Sequence, residues 1–159
     1  MSNTRIEIID KLEECAAQTI ALFSSLTSEQ LEQEVYQDGA RWRVRQVLAH
    51  FITIERSMQF LFKDILAGGT GGSEGFDIER FNRSQPAKLD GKSMDELTKL
   101  FSDVRRETIS IVDAMSDEDL QRQGVHAFHG HDKLERFIRW AYEHAELHER
   151  DIKTIFGLK

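Results

Sequence analysis

The feature that most constrains the fold is a set of four long segments whose apolar residues recur every three or four positions. This spacing places the apolar side chains on one face of an α-helix. The sequence shows no convincing strand pattern and no repeat, so it predicts an all-α four-helix bundle with short connecting helices, in one domain over residues 1–159. The four stripes are Ile8, Leu12, Cys15, Thr19 and Phe23; Val47, His50, Ile54, Met58, Leu61 and Ile65; Leu97, Leu100, Val104, Ile111 and Met115; and Phe137, Ala141, His144, His148 and Ile152.

Capping signals and helix breakers divide the first half of the chain. Thr27 to Gln30 forms a capping signal and predicts a short connecting helix that ends before Asp38-Gly39. Helix two is expected from about Trp42 to Leu66. The glycine-rich stretch Gly68 to Gly75 predicts a flexible loop, and Asp77 to Asp90 predicts a long crossover connection, because it contains the only proline.

The second half contains similar signals. Ser93 is expected to cap helix three, with a glutamate three residues later. The acidic run that follows Ser116 indicates another short capped turn. Asp132 is expected to cap helix four, which runs to about Phe156 and stops at Gly157.

Composition excludes several classes of protein. No apolar run approaches the ~20 residues that cross a bilayer, and the N-terminus lacks the features of a signal peptide, so we expect a cytoplasmic protein without a membrane partner. The formal net charge of −7 disfavours nucleic acid as a partner, and the cluster Arg41, Arg43 and Arg45 is better explained as a solvated helix start. The one cysteine, Cys15, lies on an apolar stripe and is expected to fill the core rather than to act as a nucleophile.

His144 and His148 are the first candidate metal ligands. Their spacing of four residues places both side chains on one face of helix four, where they can share a metal ion. The pair lacks the glutamate that follows the first histidine in the zinc-protease motif, because Ala145 stands there. Two partly exposed histidines on an amphipathic helix are the alternative interpretation.

His50 strengthens the metal interpretation. It lies on the apolar stripe of helix two, where a polar side chain must find a partner. A hydrogen-bonded core histidine is the ordinary explanation for such a residue. One metal would instead satisfy His50, His144 and His148 together, and three protein ligands leave coordination positions open for chemistry.

Other polar residues have weaker cases. Asp151 lies on the same stripe as His144 and either orients a ligand histidine or is an ordinary carboxylate at the edge of the helix. His126, His129 and His131 precede helix four in a predicted loop, where they are solvated or line the mouth of the first site; a second metal site is disfavoured.

The pattern W-x-V-R-x-V-L-x-H-x-x-x-x-E at Trp42 to Glu55, followed by H-x-x-x-H at His144 to His148, resembles the DinB/YfiT-like superfamily. The resemblance covers nearly the whole chain. It implies an up-down-down-up bundle, often dimeric, that holds a divalent metal, nickel or zinc, through His50, His144 and His148. Arg43 departs from the family, in which a serine or threonine cap commonly follows the tryptophan.

The resemblance also implies candidate functions. Family members with assigned activity look like S-transferases or isomerases that use low-molecular-weight thiols, so we expect a small-molecule thiol or electrophile as partner. A metal-dependent hydrolase would use the same ligands with water as the nucleophile. A noncatalytic, stress-related bundle in which the metal only ties two helices is the third possibility.

Overall fold

The computed structural model describes residues 3–72 and 76–159, and within them helices dominate. The four long helices are α1 (Thr4–Ser25), α3 (Val44–Leu66), α5 (Met94–Asp113) and α7 (Leu134–Phe156). The short elements are α2 (Ser28–Leu31), α4 (Ile78–Ala87), α6 (Asp117–Leu120), β1 (Gln123–His126) and β2 (Gly130–Lys133).

The four long helices form the predicted bundle. Helix α1 packs against α5 and α7, and α3 packs against the same two helices, so α1 and α3 lie diagonally across the core. Residues from all four stripes fill the space between them, including Leu12, Val47, Leu97 and Phe137, each at most 1% exposed. In the described residues, no helix is long and apolar enough to span a membrane.

The predicted caps at Thr27 and Ser93 are confirmed. In each case the hydroxyl accepts a hydrogen bond from the backbone N–H three residues later, and the side chain of that residue accepts one in return. At the end of α7, Gly157 adopts a φ of 64°, the left-handed conformation that glycine tolerates, and it stops the helix as predicted. At Arg43, the Gln46 side chain accepts a bond from the Arg43 N–H at 2.9 Å, so the reciprocal bond of a capping box is present although residue 43 has no hydroxyl.

The cap predicted at Asp132 is wrong. Residue 133 occupies the N-cap position of α7, and the Asp132 carboxylate accepts a bond from the adjacent N–H of Lys133 at 2.7 Å. The reason is that residues 130–133 form β2, whose pairing fixes an extended backbone up to the start of the helix. The N–H of Leu134 then bonds to the carbonyl of Arg122 at 2.8 Å instead of to a side chain.

The crossover predicted from Asp77 to Asp90 contains a helix, α4, that packs against α3. Asp77 caps it by accepting a bond from the Arg80 N–H at 3.0 Å. Proline did not prevent the helix because Pro86 lies in its last turn, where the disruption of the hydrogen-bond ladder ends the element rather than splitting it.

The region from His126 to His131 is the turn and part of both strands of an antiparallel hairpin, in which His126 pairs with Gly130. The strands escaped prediction because each has only four residues. The glycine-rich loop that follows α3 is joined to this hairpin by backbone hydrogen bonds from Gly72 N–H to Val125 O and from Val125 N–H to Thr70 O, both 2.7 Å. Part of the stretch predicted to be a flexible loop is therefore hydrogen-bonded to the hairpin, and residues 73–75 lie outside the described part.

Candidate metal centre

The three predicted histidines converge at one point between α3 and α7. The Nε2 atoms of His50 and His144 are 3.1 Å apart, and those of His144 and His148 are 3.0 Å apart. One ligand nitrogen from each of the three rings lies within 4.8 Å of the other two. His50 is supplied by α3, and the other two are supplied by consecutive turns of α7.

The donor set fits a divalent metal. A metal held by imidazole nitrogens at 2.0–2.1 Å brings those nitrogens to about 3.0–3.4 Å from one another. The spacing between His50 and His144 and the spacing between His144 and His148 fall in that range. Imidazole donors suit zinc, nickel and copper alike. The Nδ1 of His50 is buried without a hydrogen-bond partner among the described residues, whereas its Nε2 faces His144, so Nε2 is the nitrogen of this ring that is placed to bind a metal.

The pKa values of all three histidines lie below their ordinary range. Burial is the largest cause in each case, and it lowers the pKa of His144 to about 3, with a further contribution from His148. For His148, the charge of Asp151 opposes the effect of burial. The rings are therefore neutral near pH 7, and their lone pairs are available to a metal without displacement of protons from imidazolium.

Tyr36 and Asp151 orient the ring of His148 through its Nδ1, the nitrogen that does not face the other histidines. The Tyr36 hydroxyl donates to the Asp151 carboxylate at 2.6 Å and lies 2.7 Å from His148 Nδ1. Because its one proton goes to Asp151, the hydroxyl accepts from the Nδ1–H of His148, which leaves the Nε2 lone pair facing the other histidines. Asp151 thus acts on the histidine through Tyr36.

The sequence did not point to Tyr36. It lies in the connection after α2, on no periodic stripe, and 112 residues from His148. Burial and the hydrogen bond to Asp151 raise the pKa of its hydroxyl, so it remains protonated at neutral pH. Trp42, at the start of the recognised motif, covers the opposite side: its ring lies 4.3 Å from that of His50, centroid to centroid.

A mostly apolar cavity of about 670 Å³ adjoins the three histidines. Among the described residues, its lining contains no lysine or arginine. Large side chains form most of its wall, and they include Ile54, Met58, Phe60, Leu61, Phe76, Phe128 and Trp140. A cavity of this kind suits the apolar body of a small molecule.

A second cavity, of about 550 Å³, lies beside the first and has a different character. Charged residues line it, among them Arg41, Arg83, Asp38, Glu79 and Asp151. The two cavities share three wall residues: Trp42, Asn82 and His148. One candidate ligand of the metal therefore borders both an apolar and a charged chamber.

The hairpin histidines divide into three environments. His126 lines the apolar cavity, as one of the sequence alternatives held. His129 packs against Trp140, with ring centroids 4.7 Å apart, and His131 is exposed. In the described part of the chain, the only group able to hold a metal through three such side chains is the one formed by His50, His144 and His148.

The core also contains a buried ion pair that the sequence did not reveal. Arg105 on α5 donates to both carboxylate oxygens of Glu55 on α3, at 2.8–3.2 Å, and both residues are 2% exposed. Arg105 also donates to the carbonyls of Leu12 and Ala141, and Thr108 donates to Glu55 at 2.8 Å. Burial acts to lower the pKa of Arg105, but Glu55 outweighs it and raises that pKa, so the guanidinium stays charged.

Cys15 is buried beside this network, 2% exposed. Its sulfur lies 4.0 Å from the Thr19 hydroxyl, and Thr19 in turn donates to the buried carboxylate of Glu149. Burial raises the pKa of the Cys15 thiol. The residue therefore fills core space, as the sequence predicted, and is not accessible as a nucleophile.

Comparisons with known proteins agree with this architecture. Residues 11–152 match the family model of the DinB superfamily. YfiT from Bacillus subtilis, described as a probable metal-dependent hydrolase with an unusual four-helix bundle topology, has a similar structure, with a TM-score of 0.74. The two sequences are 18% identical, and the match covers 100% of this chain and 91% of that chain, which shows a shared fold. No curated protein matches the sequence. The chain belongs to the DinB superfamily.

Proposed function

We propose that the protein binds a divalent metal, zinc or nickel, through His50, His144 and His148, and that it is a metal-dependent enzyme. The observation that carries the proposal is the convergence of three neutral Nε2 atoms beside a cavity large enough for a small molecule. A purely structural zinc site commonly has four protein ligands, whereas three leave a position for a reactant.

A metal bound there supplies Lewis acidity, which lowers the pKa of a thiol or a water molecule. The residues of the chain set the surroundings of that reaction. Tyr36 and Asp151 hold the His148 ring in the required tautomer. Trp42 covers His50, and the apolar wall excludes water from the neighbourhood of the reacting groups.

Among the possible reactions, we favour transfer of a low-molecular-weight thiol to a small electrophile. Two cavities of opposite character border His148, and this arrangement suits a two-substrate reaction, with the electrophile in the apolar cavity and a polar thiol in the charged one. The charged chamber contains residues of both signs, which suits a thiol that carries both ammonium and carboxylate groups.

Hydrolysis is the second candidate, and the similarity to YfiT favours it. Zinc- or nickel-loaded protein, purified without an affinity tag, would be incubated with a haloarene electrophile or an ester, with and without cysteine. S-transfer predicts metal-dependent loss of free thiol, whereas hydrolysis predicts product without thiol. His148→Ala should abolish either reaction, and the exposed His131→Ala is the matched control.

A noncatalytic bundle tied by metal makes a different prediction. Chelation would then lower thermal stability strongly, and neither thiols nor electrophiles would change the melting temperature of the loaded protein. Loss of thiol consumption on chelation, with reactivation by added metal, would argue against this alternative. A homodimer and a cytoplasmic location remain expectations that derive from the sequence and the family resemblance.

A further inference from the structure

His126 is a buried histidine that is not one of the three candidate metal ligands. It ends strand β1, is 9% exposed, and lies with its ring 5.1 Å from that of Phe137, centroid to centroid. It lines the apolar cavity together with the three candidate metal ligands. The ring is therefore fixed in place at a wall of the candidate active site.

Backbone hydrogen bonds select the tautomer of this ring. The N–H groups of Phe128 and His129 both donate to His126 Nδ1, at 2.9 and 3.2 Å. A nitrogen that accepts hydrogen bonds carries no proton, so a neutral His126 must carry its proton on Nε2. Burial, followed by the neighbouring His129, lowers the pKa of His126 to about 4, which agrees with a neutral ring at pH 7.

The Nε2–H is an available donor. Among the described residues, no side chain or carbonyl pairs with it, and it is not one of the polar atoms sealed from solvent without a partner. The lining of the cavity offers no lysine or arginine, so apart from a bound metal the donors at its wall are neutral groups such as His126, Ser57 and Asn82. His126 combines a fixed orientation with an open hydrogen-bonding position.

We propose that His126 is a neutral hydrogen-bond donor to the carbonyl oxygen of the electrophile, and that the substrate is a carbonyl compound with an apolar body. The inference rests on the proposed enzymatic function. As the nucleophile forms a bond to the carbonyl carbon, the C=O π electron pair moves onto the oxygen. His126 donates through Nε2–H to that oxygen and stays a neutral imidazole, so the oxygen is stabilised by a hydrogen bond and no proton leaves His126.

Two substitutions of His126 distinguish the role of its Nδ1 from the role of its Nε2. In His126→Asn, the amide oxygen takes the place of Nδ1 and can accept from the Phe128 and His129 N–H groups, but no donor reaches the Nε2 position. In His126→Gln, the longer side chain places an amide N–H near Nε2. If His126 has a purely structural role, His126→Asn should impair ligand binding less than His126→Gln. If His126 is a donor, His126→Gln should impair ligand binding less than His126→Asn.

The test uses benzoate as a probe with an apolar ring and acceptor oxygens, titrated into zinc-loaded and metal-free full-length protein. We expect His126→Asn to weaken benzoate binding by about 10-fold or more, the usual loss for a hydrogen bond to a charged group, and His126→Gln to stay within about threefold of wild type. Zinc content and melting temperature should be the same for wild type and His126→Asn. Equal benzoate affinity in wild type and His126→Asn would overturn the proposal.

Nitrogen-15 spectra of the histidine rings at pH 7 provide a readout that is independent of activity. The expected signature of His126 is a neutral ring with a protonated Nε2 and an unprotonated Nδ1. A proton on Nδ1, or an imidazolium, would overturn the proposal even if zinc binds. A wild-type protein that takes up no metal would instead contradict the proposed function, and the tautomer and the metal-free benzoate titration would still decide whether the donor exists.

Discussion

Two polar clusters interrupt the apolar core of this bundle, and they differ in how completely their atoms are paired. In the ionic cluster, formed by Glu55, Arg105 and Thr108, both carboxylate oxygens of Glu55 accept several hydrogen bonds. In the histidine cluster, three Nε2 atoms face one another, and one Nδ1 has no partner. Both clusters draw on α3, where His50 and Glu55 are five residues apart.

The difference shows how a buried polar group can be assigned to structure or to ligand binding. A cluster whose charges cancel and whose hydrogen bonds are complete gains little from another molecule. A cluster of three imidazoles with their Nε2 atoms 3.0–3.1 Å apart satisfies itself only in part, because each shared proton leaves other lone pairs without a donor, and a cation can accept those lone pairs. The cavity beside the histidines fits this distinction: Glu55 and Arg105 do not line it, whereas all three histidines do.

The largest expected effect comes from breaking the ionic cluster. Arg105→Met leaves the carboxylate of Glu55 buried without a counter-charge, and removing one partner of such a pair costs about 3–5 kcal/mol. Urea denaturation at pH 7 should show this loss, whereas the protein that remains folded should bind metal as wild type does. Adding Glu55→Leu to Arg105→Met should recover much of the stability, because the unpaired charge is then gone. If the double variant is as unstable as Arg105→Met, the unpaired charge of Glu55 is not the cause of the loss of stability.

Acid should destabilise the metal-free histidine cluster by a somewhat smaller amount. The pKa of His144 is about 3 in the folded chain, against an ordinary value of about 6.5 when unfolded. Below pH 6.5 the unfolded chain therefore binds more protons, so the free energy of unfolding falls as pH decreases toward 3. At pH 4.5, His144 alone accounts for about 3 kcal/mol.

A comparison of His144→Gln with a variant of an exposed histidine isolates the contribution of His144 to the pH dependence of stability. Denaturation of wild type, His144→Gln and His131→Gln would be followed from pH 7 to pH 4.5. Relative to wild type, the slope against pH should be shallower for His144→Gln and unchanged for the exposed control. Identical slopes for all three proteins would show that His144 is not buried as a neutral ring.

Removal of the tyrosine that orients His148 should have a moderate effect on the metal. Tyr36→Phe deletes the hydroxyl between His148 and Asp151, and the loss of such an outer partner typically weakens metal binding about 10-fold. Zinc titration against a chromophoric chelator measures the change. Tyr142→Phe, which alters a buried tyrosine that pairs with Arg139, is the control and should bind zinc as wild type does.

The smallest effect is expected at Cys15. Because this thiol lies beside the ionic cluster and not in the cavity, Cys15→Ala should leave zinc content and thiol transfer unchanged and cost about 1 kcal/mol of stability. In the native wild type, a thiol-specific reagent should react slowly, since burial raises the pKa of the thiol. Loss of activity in Cys15→Ala would place the nucleophile in the protein rather than in a cosubstrate.

The sequence predicted the features that depend on local spacing. The i, i+4 pair of His144 and His148 and the place of His50 on an apolar stripe both survive folding, because a long helix preserves spacing. The ionic cluster could not be predicted in the same way, since Arg105 stands next to Arg106 in a charged run typical of a solvated face. Tyr36 contacts His148 across 112 residues, which no local pattern encodes, and the hairpin strands, with four residues each, are too short to show an alternating pattern.

The most direct test of the account is the metal content of protein purified without an affinity tag, measured by elemental analysis. Wild type and His131→Ala should each contain about one divalent ion per chain, whereas His50→Ala and His148→Ala should contain far less, because each loses one of three ligands. Circular dichroism would confirm that the variants are folded. Full metal occupancy in both His50→Ala and His148→Ala, or no bound metal in wild type after reconstitution with zinc and nickel, would contradict the central claim.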